Sequence, residues 1–163
     1  MTLKSLIVLL GLGAAFVSPV LGASHKTEGR ITSELTFSSI DRDDKGYIHQ
    51  GDLETFRQAV FAGMDTNEDR NVNYDEFRAW DPGFSYLADK QQKMSAYEVA
   101  IHIVFALWDR NGDGEISIPE MRHAMDVDFR RADINNDAIV SEAEFLKGFT
   151  IIVAIKAAFQ PKP

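Results

Sequence analysis

The chain has no cysteine in its 163 residues. That excludes disulfide staples, thiol nucleophiles and thiolate metal sites, so the protein must be held by its core or by a bound ion. Positive charge is also scarce: 17 Lys and Arg stand against 25 Asp and Glu, a formal charge of −8. A surface of that sign repels nucleic acid and attracts cations, so no nucleic-acid partner is expected. His25, His49, His102 and His123 lack the spacing of metal-binding pairs. Nowhere does a nucleophile stand beside a base with a third, orienting group. No catalytic residue is therefore assigned, and the chain reads as a non-enzyme. Apolar residues at 45% and charged residues at 26% are ordinary for a globular protein rather than a disordered one.

Leu6 to Ala23 is a run of 18 residues without a charge, preceded by Lys4 and ending in the small-residue region Leu21-Gly22-Ala23. It reads as an export signal over 1–23, removed to leave a secreted or periplasmic protein with no stable membrane span. An uncleaved anchor is the alternative, since 18 residues is near the lower limit for a bilayer crossing. Residues 24–29 follow as a short leader.

The rest of the chain repeats itself. Phe37 to Phe77 aligns without gaps on Phe105 to Phe145, at an offset of 68 residues. Asp41 matches Asp109, Gly46 matches Gly114, Asp65 matches Asp133, and Glu76 matches Glu144. Each copy holds two acidic stretches. The expected division is therefore an N-terminal unit over 30–80, a linker over 81–94, and a C-terminal unit over 95–159. Asp81-Pro82-Gly83 marks the turn into the linker, and Ser95 with Glu98 reads as a capping box for the next helix.

Calcium takes six to eight oxygens, and a twelve-residue loop supplies them from positions 1, 3, 5, 7, 9 and 12. Position 7 lends a backbone carbonyl, position 12 is a bidentate Glu, and position 6 is Gly for a sharp turn. The third acidic stretch meets every requirement. Asp109, Asn111 and Asp113 are its side-chain ligands, Gly114 makes the turn, Glu115 offers its carbonyl, and Glu120 closes. The second has Asp65, Asn67, Asp69, Asn71 and Glu76, but Arg70 replaces the glycine. The fourth has Asp133, Asn135, Asp137, Ile139 and Glu144, with Ala138 at the same place. A non-glycine residue forced to positive φ there costs about 1 kcal/mol, which weakens a site without abolishing it. The first is degraded. Asp41, Asp43 and Gly46 are in place, but Lys45 stands at position 5 and the shorter Asp52 closes. It is expected to be a weak site, to accept magnesium, or to stay empty as a structural partner of the second.

On these positions the chain resembles the EF-hand family. The resemblance implies Ca2+ as the bound ion, at about three sites, in an all-α fold. The spacing adds detail. Loops within a copy begin 24 residues apart, leaving 12 residues between them, enough for one helix of about 18 Å. The fold expected is two tandem EF-hand pairs, each helix–loop–helix–loop–helix with a shared middle helix. Phe56, Val60 and Phe61 give the first shared helix its apolar stripe, and Met121, Met125 and Phe129 the second. The close spacing is also similar to the periplasmic lanmodulins, which implies lanthanide binding as an alternative. Arg42, Thr66, Arg110 and Ile134 stand at position 2, where lanmodulins carry proline.

The functional expectation is calcium binding as buffer, sensor or calcium-stabilised interaction module. The helix from Phe149 to Phe159 is apolar except for Thr150 and Lys156. It is either core or a surface for a protein partner or for self-association.

Overall fold

The computed structural model describes residues 27–160. The expected export signal lies outside them, as does the leader up to residue 26. The first copy runs α1 (Glu28–Ile40), β1 (Tyr47–Ile48), α2 (Gln50–Met64), β2 (Asn71–Asn73) and α3 (Tyr74–Ala79). After α4 (Phe84–Lys90), the second copy runs α5 (Met94–Trp108), β3 (Glu115–Ser117), α6 (Ile118–Ala132), β4 (Val140–Ser141) and α7 (Glu142–Gly148). α8 (Thr150–Ala158) ends the described chain. The all-α class holds, and α2 and α6 are the shared helices: each leaves one acidic loop and enters the next. Their stripes face inward, with Val60, Phe61, Met121, Met125 and Phe129 buried and Phe56 partly so.

The loops pair across the copies rather than within them. β1 pairs antiparallel with β4, Ile48 facing Val140, and β2 pairs with β3, Val72 facing Ile116. All four of these residues are 0% exposed. The first loop's partner is thus the fourth, not the second as expected from adjacency. Burial of four β-branched side chains in two facing pairs fixes that choice. Both copies share one core as a result. Phe37 of α1 reaches Phe145 of α7, and Phe77 of α3 reaches both Phe105 and Trp108 of α5.

Three boundaries differ from expectation. α1 begins at Glu28, capped by Thr27, so the leader's last residues are already helical, and Gly29 lies against Phe159. The linker over 81–94 holds a helix, α4, with Phe84, Leu87 and Ala88 buried at i, i+3 and i+4. Asp81 anchors its start by accepting from Phe84 N at 2.8 Å, and Gly83 takes φ 109. α5 starts at Met94 with Lys93 as its N-cap, so Ser95 and Glu98 form no box. Glu98 instead holds Arg78 of α3 at 2.7 Å, while His102 lies edge-on to Tyr74.

The apolar C-terminal stretch is split from α7 at Phe149, whose ψ of 127 is extended. α8 lies on α5 with Ile152 and Ile155 buried. Asp128, 3% exposed on α6, clamps this corner. Its carboxylate accepts from Thr150 N at 3.0 Å, from the Thr150 hydroxyl, and from Arg131 Nη2 at 2.8 Å. Burial pushes its pKa up against those partners. Among the described residues, no helix is long and apolar enough to cross a membrane.

Candidate metal centres

All four loops share one backbone. Position 6 has positive φ in each: Gly46 at 80, Arg70 at 72, Gly114 at 89 and Ala138 at 66. The strain expected at Arg70 and Ala138 is therefore present. Position 4 is left-handed too, in Asp44, Glu68, Gly112 and Asn136, a requirement that the sequence reading missed. Asn and Asp tolerate that region, and Gly112 fills it without strain.

The position 1 aspartates organise this turn. Asp109 Oδ1 accepts from Gly112 N at 2.8 Å and Asp113 N at 3.1 Å, and its Oδ2 from Gly114 N at 2.9 Å. Asp65 makes equivalent bonds to Asp69 N and Arg70 N, and Asp133 to Asp137 N and Ala138 N. Asp41 does the same with Lys45 N and Gly46 N. At position 3, Asn67, Asn111 and Asn135 each accept from the position 5 amide and donate to its carboxylate at 2.8 Å. Asp69, Asp113 and Asp137 accept in turn from the amides of Asn71, Glu115 and Ile139. The oxygens at positions 1, 3 and 5 are therefore drawn to one side of each loop.

Position 12 closes the loop onto itself. Glu120 Oε1 accepts from Arg110 N and Asn111 N, both at 3.1 Å, and Oε2 from Ser117 N at 2.9 Å. Glu76 bridges in the same way, from Thr66 and Asn67 to Asn73. Glu144 accepts from Ser141 N and the Ser141 hydroxyl. Burial opposes the charge of Glu76 and Glu120, but these donated hydrogen bonds outweigh it and leave both below the ordinary range. The Ser141 hydroxyl leads the same lowering in Glu144. Each closing acid also forms a capping box with position 9: His49 with Asp52, Asn73 with Glu76, Ser117 with Glu120, Ser141 with Glu144. That role for position 9 was missed, although the serine-x-x-glutamate spacing signals it.

The first loop departs at the middle. Lys45 Nζ lies 3.2 Å from Asp52 Oδ1, 3.6 Å from Asp41 Oδ1 and 3.6 Å from Asp43 Oδ2. Burial works against its charge, but these carboxylates outweigh burial and raise its pKa.

Among the described residues, no three His, Asp or Glu side chains form a group ready to hold a metal ion, the closing acids of the second, third and fourth loops being engaged with loop amides. The donor chemistry of the second, third and fourth loops nonetheless fits calcium. It consists of oxygens alone, from carboxylates, side-chain amides and the carbonyls of Asn71, Glu115 and Ile139, and a hard cation takes such donors.

Comparison with known proteins agrees with the third loop. An EF hand family model matches residues 101–125, which span the end of α5, the third loop and the start of α6. The chain is also 28% identical over 119 residues to the mitochondrial adenyl nucleotide antiporter SLC25A24 of Mus musculus, covering 66% of this chain. The match covers 22% of that relative's length. These similarities support the EF-hand calcium-binding superfamily, the family model covering the third loop.

Proposed function

We propose that the chain binds calcium through its second, third and fourth loops in an exported protein, where the ion completes the fold. The observation that carries this is the shared scaffold of those loops. Asp65, Asp109 and Asp133 at position 1, the Asn–Asp pairs at 3 and 5, and Glu76, Glu120 and Glu144 at 12 stand on one repeated set of hydrogen bonds. Calcium there would be held by these groups with the position 7 carbonyls. The ion supplies charge that offsets the crowded carboxylates, and the residues themselves fix the turn.

A calcium-stabilised module or buffer is favoured over an opening sensor. A sensor exposes a methionine-rich groove on binding, and the chain has only five methionines, few for such a groove. Burial of Ile152 and Ile155 likewise supports an intramolecular role for α8 over partner docking. Export rests on the residue pattern of 1–23.

The experiment is calorimetric titration of the metal-stripped chain, residues 24–163, with calcium. Three sites are expected. Affinities of about 0.1–1 mM would mark a permanently loaded module outside the cell, and micromolar values a store or sensor. Failure to bind calcium, followed by tight binding of a lanthanide, would replace this reading with the alternative.

A further inference from the structure

We propose that the Lys45 ammonium is the built-in cation of the first loop, so that this loop takes no metal and holds its shape without one. The inference goes beyond the calcium reading of the other three loops and does not depend on it. Lys45 stands where the repeat places Asp113, at position 5. Its Nζ touches the acids of positions 1, 3 and 12 together, Asp52 at 3.2 Å and Asp41 and Asp43 at 3.6 Å each. Those three positions are among the ones whose oxygens surround the ion in a calcium loop. Tyr47 adds its ring face, 5.7 Å from the same nitrogen. Asp41 and Asp52 are 2% and 15% exposed, so their charges are mostly removed from water and need a counter-charge. The ammonium supplies it on a covalent tether, with no loss of a free ion's translational freedom.

The loop around it has the same form as its metal-type relatives. Asp41 still accepts from Lys45 N and Gly46 N, and Asp52 still forms the capping box with His49. The short Asp52 suits this role: Lys45 reaches across to it, and no bidentate grip is required. Through β1 the loop presents Ile48 to Val140 of the fourth loop. The fourth loop, strained at Ala138, therefore always has a formed partner, whereas the second and third loops have each other.

Two measurements test this on the mature chain. In the first, amide resonances of Gly46 and Gly114 are followed by NMR as calcium or magnesium is added. Gly46 N, bonded to Asp41 at 2.7 Å, is expected to show no saturable shift of its own over the range that saturates Gly114. A saturable metal shift at Gly46 would overturn the proposal. In the second, the metal-free chain is melted with Lys45→Met and Lys45→Arg. Met is expected to lower the midpoint by at least roughly 3 °C, and Arg to hold it near the parent value. Equal midpoints for Met and the parent, or equal losses for Met and Arg, would also overturn it. A silent Gly114 would count against the calcium reading alone, since the metal-free melts decide the role of Lys45.

Discussion

Phe37 and Phe145 meet edge to face with their ring centroids 5.6 Å apart. Moving 68 positions forward from the first and back from the second gives Phe105 and Phe77, which also meet at 5.6 Å. The same operation turns the facing pair Ile48 and Val140 into Ile116 and Val72. The two copies are therefore related by an approximate internal two-fold, and each element finds its partner in the other copy.

Phe77→Ala and Phe145→Ala should consequently cost similar stability, about 3–5 kcal/mol each, since both rings are at most 2% exposed. Denaturant unfolding of both variants checks this. A cost confined to one of them would mean that the two halves of the core are not equivalent.

Gly148 has no room for a side chain. A Cβ there would lie 2.5 Å from both Cα and Cβ of Ala132, where α7 packs on α6. Gly148→Ala is expected to lose roughly 1–3 kcal/mol or more, because backbone rather than a flexible side chain must move. Unfolding curves of the metal-free chain would show the shift.

Ala138 sits at φ 66 in the fourth loop. Ala138→Gly should stabilise the chain by about 1 kcal/mol, the strain relieved exceeding the added freedom of the unfolded glycine. Differential scanning calorimetry would read a higher midpoint. The same change at Gly114 in reverse, Gly114→Ala, should lower it.

Glu120→Gln turns an amide donor toward Arg110 N and Asn111 N or toward Ser117 N, where only acceptors fit. It also removes a charge from the loop. Calcium affinity of one site should fall at least ~10–100-fold, the range seen when groups that merely orient ligands are lost. A titration in which all sites keep their affinity would remove Glu120 from the ligand set.

The Arg57 guanidinium, 4% exposed, donates to Glu54 and holds that carboxyl down to about 2, with Gln58 assisting. A carboxylate pKa depressed on folding adds stability above its unfolded value of 4.5, and that stability is lost as pH falls toward about 2. Glu54→Gln should thus destabilise the chain at pH 7 and lose that effect near pH 2. The cost should lie at the low end of about 1.5–3 kcal/mol, since the Glu54 side chain is 40% exposed. Asp128 acts in the opposite sense: burial raises its pKa, so its contribution is full below the unfolded value and fades as pH rises through the folded one.

Much of this was legible in the residues. Loop positions such as Asp109, Gly114 and Glu120 are fixed by local chemistry, and twelve residues between loops leave space for a single shared helix. The strained Arg70 and Ala138 followed from the absent glycine. Loop partnership was not legible, because β1 and β4 are two residues each and any two loops offer the same β-branched position 8. α4 was hidden by its shortness and by the turn before it, although Phe84, Leu87 and Ala88 have helical spacing. The reach of Lys45 to three acids was equally out of view: the sequence shows an ammonium in place of an oxygen, and only the fold shows where its nitrogen goes.

The crossed strand pairing has a consequence for whether the contacts form within one chain or between two. Each half offers a surface that another copy's opposite half could satisfy just as well, so contacts alone do not distinguish one chain from two. The connector through α4 does, by keeping the correct half at high local concentration. Shortening or stiffening it until the halves cannot fold back would convert the same contacts into an exchanged dimer, with each loop still paired, but to a neighbour.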